Sequence, residues 1–285
     1  MTSVTIFAGT QAGQVATPAS RALLLSRFRR VAAPVLLLIA WQVASTSGLI
    51  SARLMPPPSA IAASFWQLTV SGQLLPSLLV SLARVTAGLL VGVAVGTVLG
   101  IVTGLSRLGE DLLDPTLQML RTLPHLALIP LMILWFGIGE VPKLVLIALG
   151  SAFPIYLNLY GAIRGADRKL FEVATTIGLS LPETILHVIL PASLPGFLVG
   201  LRQALGVAWI TLVVAEQINA SSGIGYLIMN AREFIETDVI FVGLCVYAVL
   251  GLATDYAVRV LEARLLAWRP SMLGVLGSGD QKAAP

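Results

Sequence analysis

DRKLFEVATTIGLSLPETILHVILPASLP, residues 167–195, is the longest polar-bearing interruption in a chain that is otherwise mostly apolar. Its local signals predict two short helices bent against each other. Asp167 is placed to cap the first, and Leu170, Ala174 and Ile177 fall on one face of it at i, i+4, i+7. Gly178 supplies the permissive position that ends that helix. Ser180 opens the second, with Glu183 three residues on to close a capping box and Pro182 tolerated in the first turn. Ile185, Leu186 and Ile189 line one side of it, and Pro191 and Pro195 are expected to stop it. A rigid, capped corner between apolar runs predicts a docking element for another protein.

Around this corner the chain reads as membrane spans. Apolar residues make up 56% of it, charged residues 11%, and the mean hydropathy is +0.90. A soluble domain carries about 25% charged residues, so 285 residues of this composition predict a helical bundle in a bilayer. The net charge of +4 is not gathered into a stripe, which argues against a nucleic-acid partner. Cys245 is the single cysteine, and His125 and His187 stand far apart without clustered partners, so neither a disulfide framework nor a metal site is expected.

Six spans are predicted, at about 31–50, 79–105, 123–138, 144–163, 196–218 and 239–260. Residues 1–30 form an N-terminal tail, 31–270 the membrane domain with its polar corner at 165–195, and 271–285 a C-terminal tail. The second span carries Gly88, Gly92, Gly96, Gly100 and Gly104, a row that lets another helix approach backbone to backbone. A polar loop is expected at 107–121. The third span contains Pro124 and Pro130 and is expected to be bent. Residues 139–143 read as a tight turn, and 219–238 as a helix lying at the membrane interface. With an even number of spans both termini share a side. Of the 18 Lys and Arg, all but Arg53, Arg84, Lys143 and Arg232 fall on that side, which the positive-inside rule makes cytoplasmic. The corner is then cytoplasmic too.

Glu172, Ala174, Gly178, Leu190 and Pro191 fit the E-A-A–x3–G–x11–L-P pattern of ATP-binding-cassette (ABC) importer permeases, with Val173 in place of the first alanine. The stretches QMLRTLPHLALIPLMILWFGIGE (118–140), VILPASLPGFLVGLR (188–202) and AEQINASSGIGYLIMNAREF (215–234) resemble the sulfonate/nitrate/taurine branch, and aliphatic sulfonate permeases most. The resemblance covers roughly residues 30–270. It implies an all-α membrane protein with the type I ABC importer permease fold (MetI-like), multi-pass in the cytoplasmic (inner) membrane. It implies that Glu172, Ala174, Gly178, Leu179, Ser180, Leu190 and Pro191 couple the chain to an ATPase. The partners implied are two ABC ATPase subunits, a second permease copy as homodimer, and an extracytoplasmic substrate-binding protein. Transport would proceed by alternating access, for aliphatic sulfonates or, as the alternative, taurine or nitrate.

The chain itself holds no engine. It has no G-x4-G-K-[ST] loop for nucleotide phosphates and no nucleophile–base–acid set, so it is not expected to be an enzyme. No cofactor is expected in it; ATP and Mg would belong to the partner. An ion-coupled secondary transporter would need related halves and paired carboxylates mid-span, and neither is evident. Intramembrane polar residues are the pathway or gate candidates. Glu216 reads either as a functional carboxylate or as one paired with Arg232 or with an outer-gate hydrogen bond. Arg84 is placed to attract a sulfonate or to snorkel. Arg121 and His125, one turn apart, read as an exit gate for the anion or as an anchor. The family pattern implies that Glu172 is a docking contact; the compatible alternative is a favourable first-turn acid. Asp255 and Arg259 read as a helix-surface pair, and Asn158, Gln203 and Thr211 are weaker candidates for a polar lining.

Overall fold

The computed structural model describes residues 19–268, with side chains from residue 32 onward except at Arg168 and Asn219. The expected C-terminal tail and the expected N-terminal tail up to residue 18 lie outside the described residues. Every regular element among the described residues is helical: α1 (Ala19–Thr46), α2 (Pro58–Val70), α3 (Leu74–Leu105), α4 (Arg107–Thr122), α5 (Ile129–Phe136), α6 (Glu140–Arg164), α7 (Arg168–Thr176), α8 (Leu181–Thr184), α9 (Leu190–Asn219), α10 (Ile224–Glu233) and α11 (Thr237–Leu265). α1 begins inside the stretch expected to be a tail. Four of these helices are long and apolar enough to cross a membrane, counting α8 and α9 as one, and the bent pair of α4 with the α5 segment makes a fifth.

Residues up to Ala60 form one unit and those from Ile61 another. In the first, the loop after α1 folds back onto it: Ser45 donates to the Met55 carbonyl at 2.9 Å, and Gln42 exchanges two 3.0 Å bonds with Ser59.

The second unit is built around α6, which lies between α3 and α9. The glycine row of α3 faces α6 as the spacing predicted, and all five glycines are buried. A Cβ on Gly92 would stand 2.0 Å from Ser151 Oγ and 2.6 Å from the Ala148 carbonyl; one on Gly96 would stand 2.5 Å from the Ala152 carbonyl. On its other side α6 meets Gly196 and Gly200 of α9, where a Cβ would come within 2.9 Å of the Asn158 and Pro154 carbonyls. Without a strong hydrophobic drive between helices in lipid, such close backbone contact supplies the packing energy. Gly92→Val is expected to cost at least the 1–3 kcal/mol typical of overpacking, at about that order of magnitude. Its unfolding temperature in detergent should fall, whereas Gly251→Ala, where a Cβ meets nothing within 4 Å, should leave it unchanged.

Three local expectations are corrected. The predicted loop at 107–121 is the helix α4, capped by Ser106, whose hydroxyl accepts from Gly109 N at 3.1 Å. Two of its three acids are tied to α6, while Asp111 is exposed. Tyr160 donates to Glu110 at 2.7 Å, Tyr156 donates to Asp114, and Arg164 pairs with Glu110. The chain then bends by 82° and makes a 3-10 turn over His125–Leu128 before α5, so the bend expected around Pro124 is present. The predicted turn at 139–143 ends at Gly139, and Glu140 to Lys143 are the first turn of α6.

The third correction concerns Pro191 and Pro195. Neither stops the helix: α8, a π-turn at Ile185–Ile189 and α9 run on without a break. A wider π-turn just before Pro191 relieves the clash and the missing donor that a proline brings to a tight α-helix. Beneath it Ile189 joins Leu159 and Ile163 of α6 in a core closed by Ile101, Leu105 and Phe171.

Candidate functional site

Two sites are built at opposite ends of this bundle. At one end is the corner at Gly178. α7 is capped by Asp167, which accepts from Lys169 N at 2.9 Å. It closes in a Schellman motif: Leu179 N donates to the Ala174 carbonyl at 3.0 Å and Gly178 N to the Thr175 carbonyl at 3.1 Å. Gly178 has φ +79°, the left-handed conformation that the motif requires. The capping box is formed as read, with Ser180 N and Oγ donating to Glu183 Oε2 at 2.8 and 2.6 Å.

Of the three apolar residues assigned to one face of α7, only Ala174 is buried; Leu170 and Ile177 are exposed, as are Val173, Leu181 and Leu186. These side chains surround the corner and leave it with an uncovered apolar rim. Glu172 is exposed on α7, and its carbonyl accepts the Thr175 and Thr176 hydroxyls. Leu179 is half-buried, Ser180 exposed, and Leu190 and Pro191 lie beyond the π-turn at the start of α9.

At the other end, side chains from α3, α6, α9 and α11 converge with the backbone of α10. Glu216 is 1% exposed and Arg84 5%. Arg84 Nη1 donates to Glu216 Oε1 at 2.7 Å and to the Ser222 carbonyl at 2.6 Å. Its Nε and Nη2 hold Glu140 in a fork at 2.5 and 2.7 Å, and Nη2 also reaches Ser222 Oγ at 3.0 Å. All five guanidinium donors are therefore committed. The second oxygen of Glu216 accepts from Gly225 N and from the Tyr247 hydroxyl, each at 2.9 Å, and Ser81 donates to the same carboxylate. Ser81 in turn accepts from Ile224 N at 2.9 Å.

The sequence SSGIG makes this closure possible. A Cβ on Gly223 would stand 2.5 Å from Glu216 Oε1, and one on Gly225 2.4 Å from Glu216 Cβ. The N-terminus of α10 thus comes down directly on a buried carboxylate, where its free N–H groups and dipole favour negative charge. Lys143, 3% exposed, completes the group by donating to Glu140 at 3.0 Å. Two cations and two anions share the site, which is electrically balanced. Glu140, with its side chain 53% exposed, is the member open to the surroundings.

The structure therefore brings Arg84 and Glu216 together, and corrects the expected pairing of Glu216 with Arg232, which is exposed. Nor does Arg84 snorkel. The expectation that it offers its guanidinium to an anion finds no donor left for one. Glu140 and Lys143 were missed because they read as a turn; an i, i+3 acid–base pair at a helix start was the available signal. His125 hydrogen-bonds Thr211 of α9 at 3.0 Å and sits over Gly150 of α6, pinning the bend. Arg121 lies exposed in the last turn of α4. The Asp255–Arg259 pair is present at 2.8 Å, and Arg202 joins it at 2.6 Å.

Residues 92–267 match the family described as "Binding-protein-dependent transport system inner membrane component". The chain belongs to that family. The permease is 52% identical over 238 residues to the putative aliphatic sulfonates transport permease protein SsuC of Escherichia coli (strain K12), covering 84% of this chain and 90% of that one. It is 48% identical to the protein of the same name from Bacillus subtilis (strain 168), over 85% and 87% of the two chains. The taurine transport system permease protein TauC of Escherichia coli (strain K12) is 36% identical over 88% of this chain and 92% of its own. Among solved structures, an amino acid ABC transporter described with histidines matches the permease with TM-score 0.59 at 15% identity, over 70% of this chain and 96% of that one. The MetNI methionine ABC transporter in an inward-facing form matches with TM-score 0.54 at 18% identity, over 67% and 97%. Its fold is that of type I ABC importer permeases, in a multi-pass inner-membrane protein.

Proposed function

We propose that this chain is the membrane subunit through which an ABC importer moves aliphatic sulfonates. The observation that carries the substrate is the 52% identity, across most of both chains, to a permease named for aliphatic sulfonates. Taurine is the second reading, favoured by the taurine permease at 36%. Power comes from two ATPase subunits, each seated on one Gly178 corner of a homodimer. The exposed apolar rim of Leu170, Val173, Ile177, Leu181 and Leu186 supports that reading, since such a cluster marks an interaction site. The corner then faces the cytoplasm along with both termini, and the Arg84 end faces an extracytoplasmic binding protein that delivers the substrate.

During the cycle, closure of the ATPases moves the two corners, and the spans rock as packed bodies. The balanced Arg84–Glu216 cluster holds α3, α6, α9, α10 and α11 together at the outer end, so these helices move as one.

The test is uptake. Proteoliposomes holding this chain with its ATPase and binding protein should take up a radiolabelled alkanesulfonate only with ATP inside the ATPase-accessible compartment. Preference for taurine over alkanesulfonates by the complete system would move the assignment to the second reading. Failure of the chain to retain any ATPase in mild detergent would overturn the importer assignment itself.

A further inference from the structure

The charged groups described above leave open where the anionic head of a sulfonate is held as it crosses. Arg84 has no free donor, and Lys143 lies in the same balanced group. Further along the bundle, Asn158 of α6 donates to Gln203 Oε1 of α9 at 3.1 Å and to the Pro154 carbonyl at 2.8 Å. Both helices are span-length, and Gln203 falls near the middle of α9. The pair is held in register by Gly200, whose missing Cβ lets α9 rest on Pro154 and Asn158.

Gln203 is exposed, and among the described residues its amide N–H groups make no hydrogen bond. It stands in a strip with exposed Val199 and Ile210 and with Gly206, where a Cβ meets nothing within 4 Å. A strip that carries an exposed amide next to an exposed arginine is not made for lipid, where polar groups without partners are expensive. One residue back, Arg202 shares a single carboxylate, Asp255, with Arg259. Two guanidiniums on one carboxylate leave a unit of positive charge beside the strip.

We propose that the Asn158–Gln203 seam lines the translocation pathway and that Gln203 donates to the sulfonate head group in transit. The proposal rests on the sulfonate-importer reading and assigns a residue within it. Neutral donors in a mildly positive field suit passage: they replace part of the anion's hydration without a fixed counter-charge that would hold it. A guanidinium at the same point would bind the head group through a fork and slow its release.

The experiment uses the complete transporter in proteoliposomes, with Gln203→Glu and Gln203→Met, both close in size to glutamine. Alkanesulfonate uptake at saturating binding protein should fall about tenfold or more in Gln203→Met, which loses a hydrogen bond to a charged group, and further in Gln203→Glu, which repels the anion. Substrate-free ATP hydrolysis and the mass of the detergent-purified complex should stay at wild-type values in both. Wild-type uptake in either variant overturns the proposal. A changed complex mass, or ATP hydrolysis lost with uptake, also overturns it, because the amide then serves as glue between helices or copies. If the wild-type complex itself takes up no sulfonate, the functional reading fails first, and the proposal falls with it.

Discussion

Glu216→Ala is expected to destabilise the folded chain by about 3–5 kcal/mol, the range seen when one partner of a buried ion pair is removed. The substitution leaves Arg84 Nη1 short of its partner in a site only 5% exposed. It also strands the hydroxyls of Ser81 and Tyr247 and the N–H of Gly225, which all converge on the lost carboxylate. Glu216→Gln keeps the volume but sets an amide N–H against neighbours that are mostly donors, so it should recover little. Replacing Arg84 and Glu216 together by methionine and leucine should cost less than the two single changes summed, since no charge is then left without its partner across α3 and α9. Glu140 remains held by Lys143 at 3.0 Å. Thermal unfolding in detergent, followed by tryptophan fluorescence, reads the single and double variants alike. An unfolding temperature for Glu216→Ala equal to wild type would show that the cluster carries no net stability.

Gly178→Val is expected to abolish sulfonate uptake while leaving the amount of chain in the membrane unchanged. The reason is conformational rather than steric, because a Cβ there would meet nothing within 4 Å. The backbone stands at φ +79°, where an L residue costs about 1–2 kcal/mol and a β-branched one more. The corner relieves that strain by unwinding the Schellman turn, which moves α7 relative to α8 and breaks up the rim the ATPase is proposed to grip. Insertion depends on the apolar spans and should survive. Gly178→Asn is the informative companion, since asparagine visits the left-handed region with little penalty and should retain most uptake. Equal loss in the valine and asparagine variants would mean that the side chain obstructs docking and that backbone conformation is not the cause. The same economy is not applied everywhere in the chain: Ile235, a β-branched residue at φ +61°, closes α10 in the position where glycine is usual.

What the sequence disclosed follows the range of the interactions involved. The glycine row of α3 was legible because its spacing of four needs no knowledge of the partner helix. The Ser180–Glu183 box and the Gly178 turn were legible because every group involved lies within six residues. The helix α4 was misread as a loop because two of its acids, Glu110 and Asp114, find their partners in Tyr156, Tyr160 and Arg164, some 40 to 55 residues away by number. Pro191 misled for a different reason: a π-turn has no sequence signature, and it is what lets the helix run on into Pro191, while Pro195 lies inside α9. Glu216 stood out as an acid in an apolar run, but its partner lies 132 residues away and could not be read from charge spacing. Near sequence, Arg232 looked the better match.

The unbroken run from Leu181 to Ile218 has a mechanical consequence. Its 38 residues, at 1.5 Å each, make a strut of about 57 Å, enough to reach from one side of a bilayer to the other. Its near tip is the Gly178 corner and its far tip carries Glu216. A tilt imposed at the first arrives at the second without any chain of side-chain relays between them. The π-turn at Ile185–Ile189, packed on Leu159 and Ile163 of α6, divides this strut into a short arm and a long one, so a small swing of the first about that contact is magnified at the second.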